Sequence, residues 1–446
     1  MPARARRSIS LTRRDLLRLA PGAALGGFAL RAQTRPPNLV ILYADDLGWG
    51  DVGFNGRNSW TTPHLDRLAA QGTLFTRWYS GSPLCAPSRA CLLTGRYTIH
   101  HGVKTNSVDL PASEITLAEA LKRLNYSTAL IGKWHRGRLS DGSFTHPLDQ
   151  GFDQTYGFLD ARASWEHFPK TLFRNRQEEP ARGYTADIFS EEAARFIRSH
   201  RAQPFFLQIS YIEPHLLIEA PEEEMARFRG KFKEKDPLRP YNAAYAAMIH
   251  RLDKGIGRVL QALQDNGAAD NTLVVFSSDN GGTFEVNNQG ASNFHDSNYP
   301  FRGQKRSLEE GGIRVPGLVR WPGRIPAGRK YDQVVHMTDV MPTLVAAAGG
   351  RVDAAWKVDG ANLLDAWMGK AAPPERTVFW EWGAERYNMH AAMRGDFKLL
   401  DMGGNRFLYN VAEDPGERRT VAAEYPEIFK QLQAELEAWL ATESKP

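Results

Sequence analysis

Residues 38–44, N-L-V-I-L-Y-A, form a continuous apolar run that ends abruptly at Asp45 and Asp46. A segment apolar on both faces predicts a strand buried inside a parallel sheet. Residues 127–132, 204–210 and 272–277 carry the same signal in shorter form. Between them the apolar period lengthens to that of helices. Thr62-Pro63 starts one that runs through residue 70, with threonine as cap and proline in the first turn. Thr116 and Glu119 make a capping box for a second, ending near Asn125. Longer helices are expected over 185–200 and 241–264. Strands alternating with helices predict an α/β fold: a large, mostly parallel sheet with helices on both faces. Past about residue 353 the texture changes. Short strand signals at 378–382, 391–394, 397–400 and 406–409 are separated by turn residues, and a helix over 426–441 closes the chain. They predict a smaller C-terminal antiparallel sheet packed with one helix. The expected organisation is a leader over 1–32, a main domain over 37–352 and a small α+β subdomain over 353–446.

The composition is that of an ordinary globular protein, 446 residues with 42% hydrophobic and 24% charged. The formal net charge of +5 has a local source. Residues 1–32 hold seven arginines and one aspartate; without them 49 basic residues face 50 acidic ones. The charge balance therefore gives no support to a nucleic-acid partner. Thr12-Arg13-Arg14-Asp15-Leu16-Leu17-Arg18 precedes a modest apolar stretch over 19–30, and Pro36-Pro37 breaks the chain before the first strand. This pattern predicts a twin-arginine export signal cleaved near residues 29–32, with a periplasmic or secreted destination. A basic amphipathic surface helix is the alternative. No apolar run reaches the roughly 20 residues that span a bilayer. No cysteine lies near the expected cleavage, so no stable membrane anchor is expected.

The chain has two cysteines, Cys85 and Cys91. Six residues along a helix turn the second roughly 240° from the first, so a disulfide is awkward if this stretch is helical. Cys91 then reads as a small buried hydrophobe, and Cys85 has another use. Cys85 opens an expected helix beside Pro87, where helix-end amides would face it, and Arg89 stands one turn later. The carboxyl ends of parallel strands form the ligand crevice of such sheets. Asp45-Asp46 and Asp279-Asn280 both lie there, three carboxylates and one amide oxygen, hard ligands suited to calcium or magnesium. Either pair alone reads as ordinary turn chemistry. Together, flanked by Gly48, Gly281 and Gly282, they point to a metal. Gly132-Lys133-Trp134-His135 and Glu213-Pro214-His215 also follow strands, and Gly303-Gln304-Lys305 precedes Glu309-Glu310-Gly311-Gly312. Two lysines and two histidines so placed point to a bound anion with a metal beneath it.

These segments resemble the sulfatase family of the alkaline-phosphatase-like superfamily. The signature C-x-P-S-R-x(4)-L-T-G-R is present without a mismatch from Cys85 to Arg96. A second signature, ending in G-K-W-H, stands at Tyr126 to His135, with Asn125 where glycine is usual. The likeness runs in family order from residue 37 to about 316, so 37–352 is the expected sulfatase catalytic domain. It weakens beyond, although Leu408-Tyr409-Asn410 to Asp414-Pro415-Gly416-Glu417 still looks like a family turn.

The resemblance implies an enzyme that hydrolyses a sulfate ester, with sulfated carbohydrate the expected substrate class. It implies that a separate maturase oxidises Cys85 to formylglycine. One Ca2+ would be held by Asp45, Asp46, Asp279, Asn280 and the modified residue 85. Arg89 and Lys133 would hold and polarise the hydrated aldehyde, and His135 would hydrogen-bond or deprotonate one of its hydroxyls. Lys305 and His215 would contact the sulfate, with His215 a candidate proton donor to the leaving group. A hydrated aldehyde suits this task because one hydroxyl can attack sulfur while the second lets the aldehyde re-form and expel sulfate. The cation, Arg and Lys groups would neutralise charge on the sulfate oxygens. Export would follow modification, since the twin-arginine machinery carries folded proteins. One departure is Pro214-His215-Leu216-Leu217, which lacks the second proline the family often shows. Segment 160–167, where related arylsulfatases place a substrate-side polar residue, does not align, and no residue is assigned there. Trp165, Phe168 and Tyr299 read either as packing or as sugar-facing aromatics. Two other readings share the core: a phosphonate monoester or phosphodiester hydrolase of the same superfamily, and an unmodified sulfated-glycan binding protein.

Overall fold

A computed structural model describes residues 35–136, 143–383 and 388–443. The leader expected over 1–32 lies outside the described residues. Asn38–Ala44 is a central strand of a ten-stranded sheet, and every residue in it is buried. The sheet order is Arg329–Tyr331, Thr73–Phe75, Gly317–Arg320, Thr272–Ser278, Asn38–Ala44, Phe205–Ser210, Ser127–Arg136, Gln154–Asp160, Thr171–Arg174, Gln177–Pro180. From Thr272–Ser278 to Gln154–Asp160 the strands run parallel. Gly317–Arg320 and the last two strands pair antiparallel with their neighbours. The sheet is mostly parallel, as the alternation of strands and helices predicts.

Alternate residues of the central strand feed two cores, as the period of two requires. Val40 and Leu42 share one with Phe189, Ile249 and Leu252 of the helices Thr185–Ser199 and Tyr241–Asp265. Leu39 and Ile41 share the other with Leu92, Leu121 and Leu344 of the helices Cys85–Thr94, Leu117–Lys122 and Val340–Ala347. The register brings the strand ends level: Ala44 lies beside Ser278, Tyr43 beside Ser210, and Ser210 beside Gly132. Gly132 has φ +106°, and a Cβ there would sit 2.0 Å from the Ser210 carbonyl oxygen, so only glycine lets these two strands close.

The Thr116–Glu119 capping box forms as expected. The Thr62 cap does not. Its hydroxyl donates to Asp66 and accepts the Gly53 amide, while the amides of His64 and Leu65 donate to Asp253 of the long helix. A carboxylate from a distant element has taken the cap position. Among the described residues, no helix is long and apolar enough to cross a membrane.

Thr377–Trp382, Met389–Arg394, Phe397–Met402 and Asn405–Asn410 form a separate four-stranded antiparallel sheet. The helix Pro426–Leu440 packs on it through Leu432, Leu436 and Trp439. A buried ionic group ties this sheet to the segment that follows Lys305. Lys398 Nζ lies 2.9 Å from Glu310 and 3.0 Å from Glu417. Glu417 accepts the Glu310 amide at 2.7 Å, and the Tyr79 hydroxyl donates to Glu310 at 2.8 Å. Removing one partner of such a group strands a buried charge, at a cost of about 3–5 kcal/mol. Lys398→Met is therefore expected to lower the unfolding free energy by about that amount in urea titrations. Adding Glu310→Gln and Glu417→Gln should return part of the loss. A loss under about 1 kcal/mol for the single variant would show that the carboxylates do not depend on Lys398.

Candidate active site

Four strand ends and one helix start meet at the carboxyl edge of the large sheet. Asp45 and Asp46 leave Asn38–Ala44, and Asp279 and Asn280 leave Thr272–Ser278. Lys133 and His135 lie in the second half of Ser127–Arg136, and His215 follows Phe205–Ser210. Asp46 and His135 have φ of 60° and 72°. Side chains in this left-handed region cost on the order of 1–3 kcal/mol and persist where the surroundings fix them. Cys85 is the first residue of Cys85–Thr94, and the next amide, of Ala86, donates to Asn106 Oδ1 at 3.1 Å. Lys305 arrives on a loop stitched to the Asp279-Asn280 turn: Gly281 N donates to Gly312 O at 3.0 Å, and Lys305 N to Gly282 O at 3.2 Å. A Cβ on Gly281 would sit 1.9 Å from Gly311 O, which explains the paired glycines on both sides of this contact.

All ten residues singled out in the sequence converge here, none of them more than 6% exposed. Cys85 Sγ lies 3.5 Å from Asp45 Oδ1 and 3.9 Å from Asp46 Oδ1. Lys133 Nζ donates to Asp45 Oδ2 at 2.5 Å, and Lys305 Nζ to Asp46 Oδ2 at 2.8 Å. Arg89 grips Asp279 Oδ2 through Nε at 3.1 Å and Nη2 at 2.8 Å, with Asp45 Oδ2 at 3.5 Å. Asn280 Nδ2 donates to Asp46 Oδ1 at 2.7 Å, and the Asp46 amide to Asp279 Oδ1 at 3.1 Å. His215 Nε2 stands 3.7 Å from Asp46 Oδ2. Both cysteines are free. Cys91 points away, its Sγ 3.4 Å from His101 Nε2 and 3.7 Å from Gly81 O.

The electrostatics follow from burial and pairing. Burial alone would raise the Asp45 carboxyl, but Lys133, His215, Arg89 and Lys305 together hold it well below the usual range. Asp279 is pushed up to about 7 by burial and by the Asp45 charge. Burial, then the Asp279 charge, raises the Cys85 thiol. Burial, with Lys133 and Arg89 nearby, keeps His135 neutral. Three carboxylates thus face three cationic side chains in a buried crevice.

The oxygen donors at this edge, from Asp45, Asp46 and Asn280, are of the kind a hard cation takes. One ligand atom from each of Asp45, Asp46, Cys85 and His215 lies within 4.8 Å of the others. Among the described residues, buried Asn280 Oδ1 has no hydrogen-bond partner, and neither has either ring nitrogen of His135. A buried polar atom in this state calls for a partner such as an ordered water or an ion. Asp279 sits at the edge of the set, both its oxygens already accepting from Arg89 and the Asp46 amide.

Two supporting residues, Glu285 and His167, carry no signal in the sequence, and Trp165, read there as packing or sugar-facing, stands beside His215. Glu285 lies 3.5 Å from Lys305 Nζ and 2.8 Å from Arg306 Nη2. His167 Nε2 contacts the His215 carbonyl oxygen at 3.1 Å, and the Trp165 ring lies 6.4 Å from the His215 ring. Both belong to the segment that failed to align. Glu285 sits in a loop without periodicity, where spacing says nothing about partners.

Residues 37–350 match the family model described as Sulfatase, and residues 302–442 match one described as N-sulphoglucosamine sulphohydrolase, C-terminal. N-acetylgalactosamine-6-sulfatase of Homo sapiens is 32% identical, over 91% of this chain and 86% of that one. Steryl-sulfatase of Mus musculus is 32% identical over 87% and 79%. The solved structure of Ps i-CgsB is 32% identical, covers 92% of this chain and 94% of its own, and superposes with a TM-score of 0.84. The same protein has been solved in complex with k-i-k-neocarrahexaose. Likeness of this extent, to proteins that share a reaction as well as a fold, makes the chain a member of the sulfatase family and a sulfuric ester hydrolase.

Proposed function

We propose that the protein hydrolyses a sulfate ester on a sulfated carbohydrate, using formylglycine made from Cys85 and one bound calcium ion. The observation that carries this reading is the position of Cys85 Sγ, against Asp45 and Asp46 inside a buried cluster with three cationic side chains. The carbohydrate class is supported by two of the relatives, one named for an N-acetylgalactosamine sulfate and one solved with a carrahexaose.

Asp45, Asp46, Asp279, Asn280 Oδ1 and residue 85 would hold the cation, all of them oxygen donors once residue 85 is modified. When present, the hydrated aldehyde supplies a hydroxyl nucleophile with a second hydroxyl on the same carbon, and the cation supplies Lewis-acid polarisation. Lys133, with Arg89, would hold and polarise the hydrated aldehyde, and Lys305 and His215 would contact the sulfate oxygens, Lys305 offsetting their charge. Arg89 fixes Asp279 by its two-nitrogen grip and backs residue 85. His135, whose ring nitrogens have no hydrogen-bond partner among the described residues, would hold or remove the proton of a hydroxyl at residue 85. His215 Nε2 gives a proton to the leaving oxygen.

Three outcomes test this account. Co-expression with a formylglycine-generating maturase should convert the residue 85 thiol to an aldehyde, seen by mass spectrometry of its peptide, and sulfate release should require it. Cys85→Ser should fold and release no sulfate, and the matured protein should prefer 4-nitrophenyl sulfate over a phosphate diester. The opposite preference would favour the phosphonate or phosphodiester reading. Calcium at about 100 times its Kd should stabilise the apoprotein by about 2.7 kcal/mol, and Asp46→Asn should remove the shift. No shift with calcium, but one with magnesium, would reassign the metal. We also propose export by the twin-arginine route. Arg13→Lys with Arg14→Lys should leave the precursor in the cytoplasm, and unchanged export would overturn this.

A further inference from the structure

Beyond the reacting cluster, two chain segments run from His215 to one cleft. The loop after His215 continues through Leu217 to Ile218, Glu219 and Ala220. The segment whose Trp165 ring faces His215 continues to Phe168. The two segments are held together where Leu217 N donates to Trp165 O at 3.1 Å and His167 Nε2 meets His215 O. Phe168, Ile218, Glu219, Ala220, Arg239 and Tyr241 line the cleft, which has a volume of about 400 Å³. That volume is in the range of small-molecule sites. Three residues of chain reach at most about 11 Å, so both walls begin within that distance of His215 or Trp165.

The lining is chemically mixed in a specific way. Phe168 is 46% exposed although its ring is set by an edge contact with Tyr184 at 5.2 Å. Tyr241, half-buried, opens the long helix on the other side. Glu219 and Arg239 flank these rings, and neither side chain has a hydrogen bond or ion pair among the described residues. Phe168 and Tyr241 together give the cleft its aromatic lining. A pyranose presents an apolar C–H face and a rim of hydroxyls, which matches two rings flanked by one carboxylate and one guanidinium. The two charges cancel, which favours an uncharged ring over a second sulfate.

We propose that this cleft is a subsite for an unsulfated sugar residue of the substrate, one or two units from the sugar whose sulfate reaches residue 85. The proposal rests on the carbohydrate reading above. Phe168 and Tyr241 cover the ring face, and Glu219 and Arg239 take its hydroxyls. The cleft therefore makes the enzyme prefer oligosaccharides over monosaccharides and aryl sulfates.

The test compares Phe168→Ala and Arg239→Ala with the parent, all matured and calcium-loaded. Arg239 is exposed, so its variant separates binding from folding. The probes are 4-nitrophenyl sulfate and sulfated mono- and hexasaccharides from carrageenan and chondroitin 6-sulfate. The expected result is a roughly tenfold fall in kcat/KM on the hexasaccharide, carried by KM, with unchanged rates on 4-nitrophenyl sulfate. Equal loss on all probes, or no loss on a hexasaccharide that the parent desulfates, would overturn the subsite and leave the carbohydrate reading intact. A parent active on 4-nitrophenyl sulfate but on none of the sugars would overturn the carbohydrate reading and the subsite together.

Discussion

Three carboxylates buried against three cationic side chains at one edge of a sheet are the constraint around which this protein is built. Each such ion costs several kcal/mol to take out of water, and the attraction between them offsets that only when the geometry is close. Asp45, Asp46 and Asp279 therefore need their strands in one register, and Gly132 allows the neighbouring strand to close enough to deliver Lys133. Lys305 has no strand to hold it. Its loop is stitched to the Asp279-Asn280 turn by backbone hydrogen bonds, and the segment that follows is anchored through Glu310 to Lys398 of the C-terminal sheet. The small sheet thus has a physical connection to the chemistry of the large one.

The same arrangement accounts for the proposed reaction. Carboxylates that hold one another's cations are the groups a calcium ion would share, and the lysines beside them are the groups that the hydrated aldehyde and the sulfate would take up. Among the described residues the Asn280 amide oxygen and both His135 ring nitrogens have no hydrogen-bond partner, which leaves them open to the proposed ligands. A buried thiol raised by its surroundings is a poor nucleophile, consistent with Cys85 serving as a precursor.

Much of this was legible in the residue order because the signals were local. Buried parallel strands read as apolar runs, and a polar dyad directly after such a run lies at the crevice, which located Asp45-Asp46, Asp279-Asn280 and Lys133. The four short C-terminal strands were separated by turn residues and could be counted. What was missed depends on distant partners. Thr62 looked like a cap until Asp253, from another helix, took its place. The last two strands of the sheet, Thr171–Arg174 and Gln177–Pro180, are short and at least half polar, so no period distinguishes them from loop. Glu285 and His167 reach the site only through the folding of irregular segments, for which spacing carries no information.

The central claim is that this cluster is the seat of a cation and a modified residue 85, and a crystal structure of the matured protein grown with calcium tests it most directly. The expected result is a cation with oxygen ligands from Asp45, Asp46, Asp279, Asn280 and residue 85 at about 2.3–2.6 Å, with Lys133 turned from Asp45 toward residue 85 and Lys305 turned from Asp46 toward the sulfate position. An intact thiol at residue 85, with both lysine–carboxylate pairs retained and no cation between them, would contradict it.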